Sequence, residues 1–225
     1  MKVTMGKPPV ARNFLSLAIL SLTLSACGIS GGISDGKRPS DSSRPIVTNA
    51  ETKQCFMELQ TAGVSFSPLP SQSFSGGCSQ IGAVKLMNAG YRTEVTNLGP
   101  VRCELANKFA AWTEYAVKRA ARQYLGSELV RIETMGSYSC RNIAGSNRRS
   151  EHSKANAIDV SAFVLADGRR ISLTGNWRDG GPAEQFLKVI HRSACRRFGT
   201  VLSPDYNADH YNHFHFDMSG NGYCR

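Results

Sequence analysis

Residues 209–217 read DHYNHFHFD, and from residue 213 onward polar and aromatic side chains alternate. Because successive side chains of a β-strand point to opposite faces, this alternation predicts a strand over residues 213–218. The phenylalanines of that strand would pack into a core. The opposite face would carry His213, His215 and Asp217. Two imidazoles and a carboxylate on one face suit a divalent metal ion, although a His-x-His pair alone is also typical of surface or core-edge histidines.

A second polar cluster, SEHSKANAID at residues 150–159, contains His152 and Asp159. By themselves these two are equally consistent with an exposed loop histidine and an aspartate at a strand end. The two clusters together hold four of the five histidines in the chain, and together they indicate a metal site more strongly than either does alone. A cysteine-based site is not indicated, because the sequence has no C-x2-C or C-x4-C pair.

Hydrophobic periodicity predicts three helices around these clusters. Apolar residues spaced by three or four predict a long helix over 104–124, closed by Gly126. A second helix is predicted over 182–198, because a proline stands near its start and a glycine follows its end. A short helix is predicted over 52–60.

Alternating apolar and polar residues predict the strands. An Asp-Gly pair at residues 167–168, between two such runs, indicates a β-hairpin. The predicted strands cover residues 129–135, 157–165, 170–173, 200–203 and 213–218. Helices and antiparallel strands in this order predict an α+β fold, a compact single domain over residues 51–225 with a small antiparallel sheet flanked by helices.

The first 26 residues have the composition of a secretory signal peptide. Residues 1–13 contain three basic side chains and no acid, and residues 14–26 form an apolar run that is too short to span a bilayer. The run ends in Leu-Ser-Ala before Cys27, which resembles a bacterial lipoprotein box. Cys27 is therefore predicted to be lipidated, and the glycine after it favours a periplasmic protein anchored in the outer membrane. The alternative is a buried N-terminal helix with a chance cysteine.

Residues 27–50 are rich in Gly, Ser, Asp and Pro and are predicted to be a flexible tether. Lipidation at residue 27 would leave six of the seven cysteines, an even number that predicts up to three disulfides in an oxidising compartment. The sequence leaves the pairing open. A local bridge between Cys55 and Cys78, and a bridge through Cys224 that pins the C-terminus, are both compatible with it.

The chain is basic, with a formal charge of +10 that falls to +7 when the three basic residues of the signal are removed. A nucleic-acid partner is not expected for an exported lipoprotein. The charge therefore indicates either a solvated basic surface or attraction to an anionic polymer such as the cell wall.

The segment 150–159 matches the pattern S-x-H-x-x-G-x-A-x-D except that Ala155 replaces the glycine, and residues 213–215 supply an H-x-H. Together these resemble the zinc peptidase superfamily of D-alanyl-D-alanine peptidases, murein endopeptidases and the hedgehog signalling domain. Residues 55–224 more narrowly resemble bacterial proteins with an extensin-like C-terminal domain. The stretches that carry this narrower resemblance are GVSFSPLP, GCSQIGAVKL, LGPVRCELA, SYSCRNIAG, SEHSKANAIDVSAF and FGTVLSPDYNADHYNHFHFDM.

The superfamily resemblance implies a fold like that of the hedgehog domain and the D-alanyl-D-alanine peptidases. It also implies a Zn2+ ion held by His152, Asp159 and His215, with a fourth position left for water. Asp217 would orient a ligand histidine or cap the end of its strand.

Catalytic roles are also expected for three further residues, for His213 and His210 from the same resemblance and for Arg141 from its position before the first cluster. His213 would act beside the metal as proton acceptor, donor or stabiliser of a tetrahedral intermediate. His210 falls at the histidine spacing of the murein endopeptidases and is a second acid/base candidate, or else a surface loop histidine. Arg141 would bind a substrate carboxylate or an oxyanion, or else is a structural loop arginine.

The implied function is a zinc-dependent peptidase that cuts peptide cross-links or stems of peptidoglycan, so its expected partners are peptidoglycan peptides and the membrane that holds its lipid. Asn212, however, stands where the dipeptidase and carboxypeptidase branch has a general-base glutamate. An amide is not a useful proton acceptor, so the alternative is a non-catalytic zinc-stabilised module that binds cell wall or a partner protein. A third alternative, a disulfide-rich structural lipoprotein without metal, requires His152, Asp159 and His215 to lie far apart.

Overall fold

A computed structural model describes residues 49–220 and 222–225 of the chain. The predicted signal peptide, the lipidation site Cys27 and the tether up to residue 48 lie outside the described residues. Within the described part, no helix combines the length and the apolar character that crossing a membrane requires. The first helix begins at Ala50, and its N-cap Asn49 accepts a hydrogen bond from the backbone N–H of Thr52. This helix, the first in the described part of the chain, therefore begins one residue before the predicted boundary at residue 51.

The helices match the predicted ones in position. The long predicted helix runs from Cys103 to Leu125 through two π-helical stretches, and Gly126 ends it in the left-handed conformation (φ 66°) that glycine adopts without strain. The helices are α1 (Ala50–Thr61), α2 (Cys103–Trp112), α3 (Lys118–Ala120), α4 (Leu173–Asn176) and α5 (Pro182–Cys195), and the π-helical stretches are Thr113–Val117 and Ala121–Leu125. Short 3-10 turns occupy Ser75–Gly77, Glu151–Lys154 and Ala208–His210.

The predicted strands are also present, together with shorter ones in the N-terminal half of the domain. They are β1 (Phe66–Pro68), β2 (Gln72–Phe74), β3 (Cys78–Gln80), β4 (Ala83–Leu86), β5 (Glu94–Thr96), β6 (Val101–Arg102), β7 (Leu129–Gly136), β8 (Ala157–Leu165), β9 (Arg170–Ser172), β10 (Thr200–Leu202), β11 (Phe214–Asp217) and β12 (Tyr223–Cys224).

The strands form one large sheet and two small ones, so the fold is α+β as predicted. The large sheet has the order β12-β10-β11-β8-β7-β5, with β9 also paired to β8. Its central pairs are antiparallel, whereas β10 with β12 and β5 with β7 are parallel. The small sheets are β1-β4-β6 and β2-β3. The parallel pairs were not anticipated, because a local alternation pattern carries no information about strand direction.

The core is built around Trp112 of α2. Its ring lies 5.0 to 6.4 Å from the rings of Phe163, Phe198 and Phe216, and its indole N–H donates to the carbonyl of Ile190 in α5 (3.0 Å). Helices α2 and α5 and strands β8 and β11 therefore meet at one buried side chain. This packing holds the two strands that carry the metal-site candidates.

Three disulfides cross-link the domain, and this number agrees with the prediction of up to three from its six cysteines. They join Cys55 with Cys103, Cys78 with Cys140, and Cys195 with Cys224. The local pair expected between Cys55 and Cys78 is wrong: α1 packs against α2 and brings Cys55 to Cys103, with their Cα atoms 6.1 Å apart. The expected bridge that pins the C-terminus through Cys224 is confirmed.

Candidate metal centre

The pairing of β8 with β11 brings together the first two side chains of the centre. The two strands are antiparallel, and their register sets His215 directly opposite Asp159. Residues opposite each other on one face of such a pair have Cβ atoms about 5 Å apart. On the other face, Phe214 and Phe216 are fully buried, as the alternation predicted. The strand register therefore puts an imidazole beside a carboxylate.

His152 enters the same site from the 3-10 turn Glu151–Lys154. Ser150 caps this turn, since its side-chain oxygen accepts from the backbone N–H of His152 (3.3 Å). Ala155 ends the turn with φ 53° and ψ 28°, a left-handed conformation that costs an alanine roughly 1–2 kcal/mol. The loop thus keeps the backbone shape that a glycine would adopt, although its residue is alanine.

Three candidate ligand side chains converge at the centre. His152 Nε2 lies 3.1 Å from Asp159 Oδ2, His215 Nδ1 lies 2.9 Å from Asp159 Oδ1, and the two ring nitrogens are 3.2 Å apart. Ligands bonded to zinc at about 2.0–2.1 Å in a tetrahedron would stand roughly 3.3 Å from one another. All three side chains are buried. The spacing and the donor types therefore fit a zinc ion.

The outer ring nitrogens of both histidines are already engaged, which assigns their tautomers. His152 Nδ1–H donates to the carbonyl of Ser137 (3.1 Å), and His215 Nε2–H donates to Asp217 Oδ2 (3.0 Å). The nitrogen facing the centre is then the one that gives up its proton and presents a lone pair when a metal ion binds. Asp217 is held in turn by the backbone N–H and hydroxyl of Ser219.

Electrostatics favour a cation at this position. Burial alone would raise the pKa of Asp159, but hydrogen bonds from His152 and His215 hold it well below its usual range. Burial alone would lower the pKa of His215, but its contacts with Asp159 and Asp217 raise it to about 9. Two buried carboxylates thus stabilise positive charge on the ring between them. A divalent cation bound here would replace that proton.

His213 lies immediately before β11 and is buried. Its Nδ1–H donates to the side-chain oxygen of Asn212 (2.8 Å), and its Nε2 lies 3.6 Å from Asp159 Oδ1. Burial is the main cause of a lowered pKa for this imidazole. Asn212 therefore orients His213, with the free nitrogen turned towards the centre.

His210 and Arg141 stand at the rim. The His210 ring is 5.1 Å from that of His213 and bonds through Nδ1 to the side chain of Asn207 (2.6 Å), and burial and neighbouring imidazoles lower its pKa to about 4. Arg141 is exposed, and its charge contributes to the lowered pKa of His213. The Cys78–Cys140 bridge holds the chain beside it.

A second His/Cys group among the described residues has a different character. His191 Nε2 lies 3.9 Å from the sulfurs of both Cys195 and Cys224, but these sulfurs form a disulfide. The His191 ring stacks on Phe214 at 5.5 Å. This histidine is therefore part of the packing behind β11.

The structure brings together the three ligand candidates that the sequence indicated, His152, Asp159 and His215, and adds one contact that the sequence did not predict. The acceptor for His152 is a backbone carbonyl, that of Ser137, and a backbone group leaves no side-chain signal in the sequence. Asp217, considered either for orienting a histidine or for capping its strand, does both.

Comparison with known proteins gives one family. Residues 53–225 match the family model described as extensin-like protein C-terminus. Among curated proteins and among solved structures, none matches the chain. The family match covers the whole folded domain, including both histidine clusters. The chain therefore belongs to the extensin-like protein C-terminus family.

Proposed function

We propose that this protein is a zinc-dependent peptidase that cuts peptide cross-links or stems of peptidoglycan. The observation that supports it best is the convergence of His152, Asp159 and His215, whose candidate ligand atoms all lie within 4.8 Å of one another. In both rings the remaining N–H is already bonded elsewhere. Such an arrangement is typical of a preorganised metal site with an outer layer of hydrogen bonds. The proposed kinship with the zinc peptidase superfamily predicts the same three ligands.

Zinc held by these three side chains would polarise a substrate carbonyl and activate a water at the open position. The remaining steps belong to residues of the chain. His213 would accept a proton at Nε2 and return it to the leaving nitrogen, because its Nδ1–H is bound to Asn212 and its ring cannot rotate freely. His210, one ring further out, would pass to solvent the second proton of the attacking water, which is released when the product carboxylic acid ionises.

Arg141 would bind a carboxylate of the peptide. Its guanidinium is exposed beside the centre, and an arginine recognises carboxylates through paired N–H donors. Such a contact would orient the peptide with its scissile bond towards His213 without occupying the metal position.

The proposed setting is the periplasm, with the protein anchored in the outer membrane through a lipid on Cys27. Three disulfides in the domain favour an oxidising compartment. The basic start, apolar run and Leu-Ser-Ala-Cys ending of residues 1–27 favour export and lipidation.

The test is to measure zinc content and to digest purified sacculi with the mature chain. We expect stoichiometric zinc and a changed muropeptide profile, both lost in His215→Ala, with the activity also lost on chelation. Asp209→Asn changes an exposed acid on the neighbouring loop and is the matched control. A protein without zinc, or zinc-loaded protein that leaves the muropeptides unchanged, would contradict the proposal.

A second candidate is a non-catalytic zinc-stabilised module that binds cell wall or a partner. It is favoured by Asn212, whose amide orients His213 but cannot accept a proton as a glutamate would. A sacculus pull-down separates the two. Persistent binding with no turnover between about pH 6 and 8 supports the module rather than the peptidase.

A further inference from the structure

A row of aromatic rings leads from the metal centre to the surface. The ring of His210 lies 5.3 Å from that of Tyr206, which lies 6.2 Å from that of Tyr223. At the inner end, His210 is 5.1 Å from His213. Tyr206 and Tyr223 are 40% and 47% exposed. The candidate site therefore continues outward as two exposed rings.

The backbone that carries the outer ring, Tyr223, is held by a strand pairing and a neighbouring disulfide. Strand β12 pairs in parallel with β10, and the backbone N–H of Tyr223 donates to the carbonyl of Gly199 (3.0 Å). The next residue, Cys224, is bonded to Cys195 of α5. A disulfide and a strand pair thus hold an exposed ring in place.

The inner ring, Tyr206, is anchored through its neighbours. Its backbone N–H donates to the carbonyl of Ser203 (2.9 Å). The carboxylate of Asp205, one residue before it, accepts from Trp177 Nε1 (2.8 Å) and from Lys188 Nζ (3.1 Å). Rigid placement of both tyrosines lowers the entropic cost of binding a ligand on them.

The surroundings of these rings are polar. The segment 203–212 reads SPDYNADHYN, in which amides and carboxylates alternate with aromatic rings and the aliphatic side chains are limited to one alanine and one proline. A pyranose ring has an apolar C–H face that stacks on an aromatic ring, and hydroxyls at its edge that pair with amides and carboxylates. A protein partner would require a larger apolar area. The Tyr206 and Tyr223 rings meet at 85°, so they form a corner and not the parallel-walled slot that suits a proline-rich peptide.

We propose that Tyr206 and Tyr223 form a glycan subsite that binds a hexosamine ring of the polysaccharide to which the peptide substrate is attached. The choice of this glycan rests on the proposed function. The subsite would place the peptide attached to a bound sugar near His210 and the metal centre. It would also explain why a disulfide fixes the last residues of the chain beside the site.

The experiment titrates the mature chain with a soluble N-acetylglucosamine hexamer and measures binding by calorimetry. We expect Tyr206→Ala and Tyr223→Ala to weaken binding roughly 2- to 10-fold each, and Tyr206→Phe to retain it, because stacking needs the ring and not the hydroxyl. Tyr115→Ala removes a ring that is even more exposed (59%) from a π-helical stretch and is the matched control. Circular dichroism of each variant checks that the fold is intact.

The inference would be overturned if the wild type did not bind the hexamer, or if Tyr206→Ala and Tyr223→Ala bound it as tightly as the wild type does. It would also be overturned if Tyr115→Ala weakened binding as much as those two variants do. Tighter binding of a proline-rich peptide at the same rings would overturn it as well. His215→Ala is expected to bind the hexamer normally. If the wild type binds the sugar in this way but cleaves no peptide, only the peptidase proposal fails.

Discussion

Single residues decide which nitrogen of each histidine faces the metal position. Asp217 accepts from His215 Nε2–H, and Nδ1 is then the nitrogen that faces Asp159 and the proposed metal position. An asparagine in its place could turn its NH2 group towards Nε2, which would then have to be the acceptor. The proton would move to Nδ1, where it blocks metal binding.

We therefore expect Asp217→Asn to lower the zinc affinity about 10- to 100-fold while the protein stays folded. Competition with a chromophoric chelator measures this directly, and Asp209→Asn provides a carboxylate-to-amide control on an exposed residue. Unchanged affinity in Asp217→Asn would show that the carboxylate does not set the tautomer of His215.

Ala155 is a second position where one residue matters. Its left-handed backbone would be relaxed by glycine, but its methyl group is fully buried and its removal costs about 0.8 kcal/mol. Because these effects oppose each other, we expect Ala155→Gly to change the free energy of unfolding by less than about 1 kcal/mol and to keep zinc affinity.

Ala155→Val is the contrasting variant, since a β-branched residue is poorly tolerated at φ 53° and adds volume to a filled site. We expect it to lose more than about 2 kcal/mol in urea denaturation. Equal stability of the glycine and valine variants would contradict this account of the turn.

At the scale of elements, the centre depends on a loop that a disulfide holds. Cys140 precedes Arg141 in the chain, and its bridge to Cys78 ties that loop to β3 across a separation of 62 residues. In the chain-entropy account, closing a loop of this length stabilises a protein by about 4 kcal/mol.

We expect the double variant Cys78→Ala/Cys140→Ala to lose about 2–4 kcal/mol of stability in denaturant unfolding. A strong reductant should lower the stability of the wild type by more than that of the variant, because the variant has only the Cys55–Cys103 and Cys195–Cys224 bridges left to lose. A variant as stable as the wild type would mean that the β3 contacts alone hold the loop.

The loop that carries Tyr206 and His210 has its own anchor in Asp205. Burial alone would raise the pKa of this carboxyl, but hydrogen bonds from Trp177, Arg178 and Lys188 lower it from 3.8 to about 2. A folded-state pKa below the unfolded one contributes stability above the unfolded value, and the contribution disappears as the pH falls through the folded value.

We therefore expect Asp205→Asn to be less stable than the wild type at neutral pH, with a difference that shrinks as the pH falls from about 4 to 2. Because the carboxylate is about half exposed, the difference should stay below about 1 kcal/mol. Thermal unfolding across this pH range measures it. A difference that grows towards low pH would contradict the assigned role.

At the scale of the whole molecule, the excess of basic residues predicts how strongly salt would weaken the proposed binding to the cell wall. Without the predicted signal the chain has a formal charge of +7, which would attract it to an anionic wall, and salt screens such attraction beyond about 10 Å at 0.1 M. The proposed stacking on Tyr206 and Tyr223 is a short-range contact and should be less sensitive to salt.

Sacculus binding at low and at high ionic strength separates these contributions. We expect most binding of Tyr206→Ala to be lost at about 0.5 M salt, whereas the wild type keeps a measurable fraction. Binding of the wild type that is independent of salt would argue against an electrostatic contribution to wall attachment.

The amino-acid pattern by itself determined the local features of this protein. The alternation in residues 213–217 predicted which side chains of β11 enter the core, and the three- and four-residue spacing predicted the long helix that contains Trp112. These features depend on interactions between near neighbours in the chain. A short stretch of sequence therefore contains the information that specifies them.

Only the tertiary structure decided which distant groups meet. It set His215 opposite Asp159, gave His152 a backbone carbonyl to bind and brought Tyr223 to Tyr206. It also paired Cys55 with Cys103 and not with the nearer Cys78. Contacts of this kind follow from how whole helices and strands pack, and many partners are compatible with the same local pattern, so the packing of the complete domain selects among them.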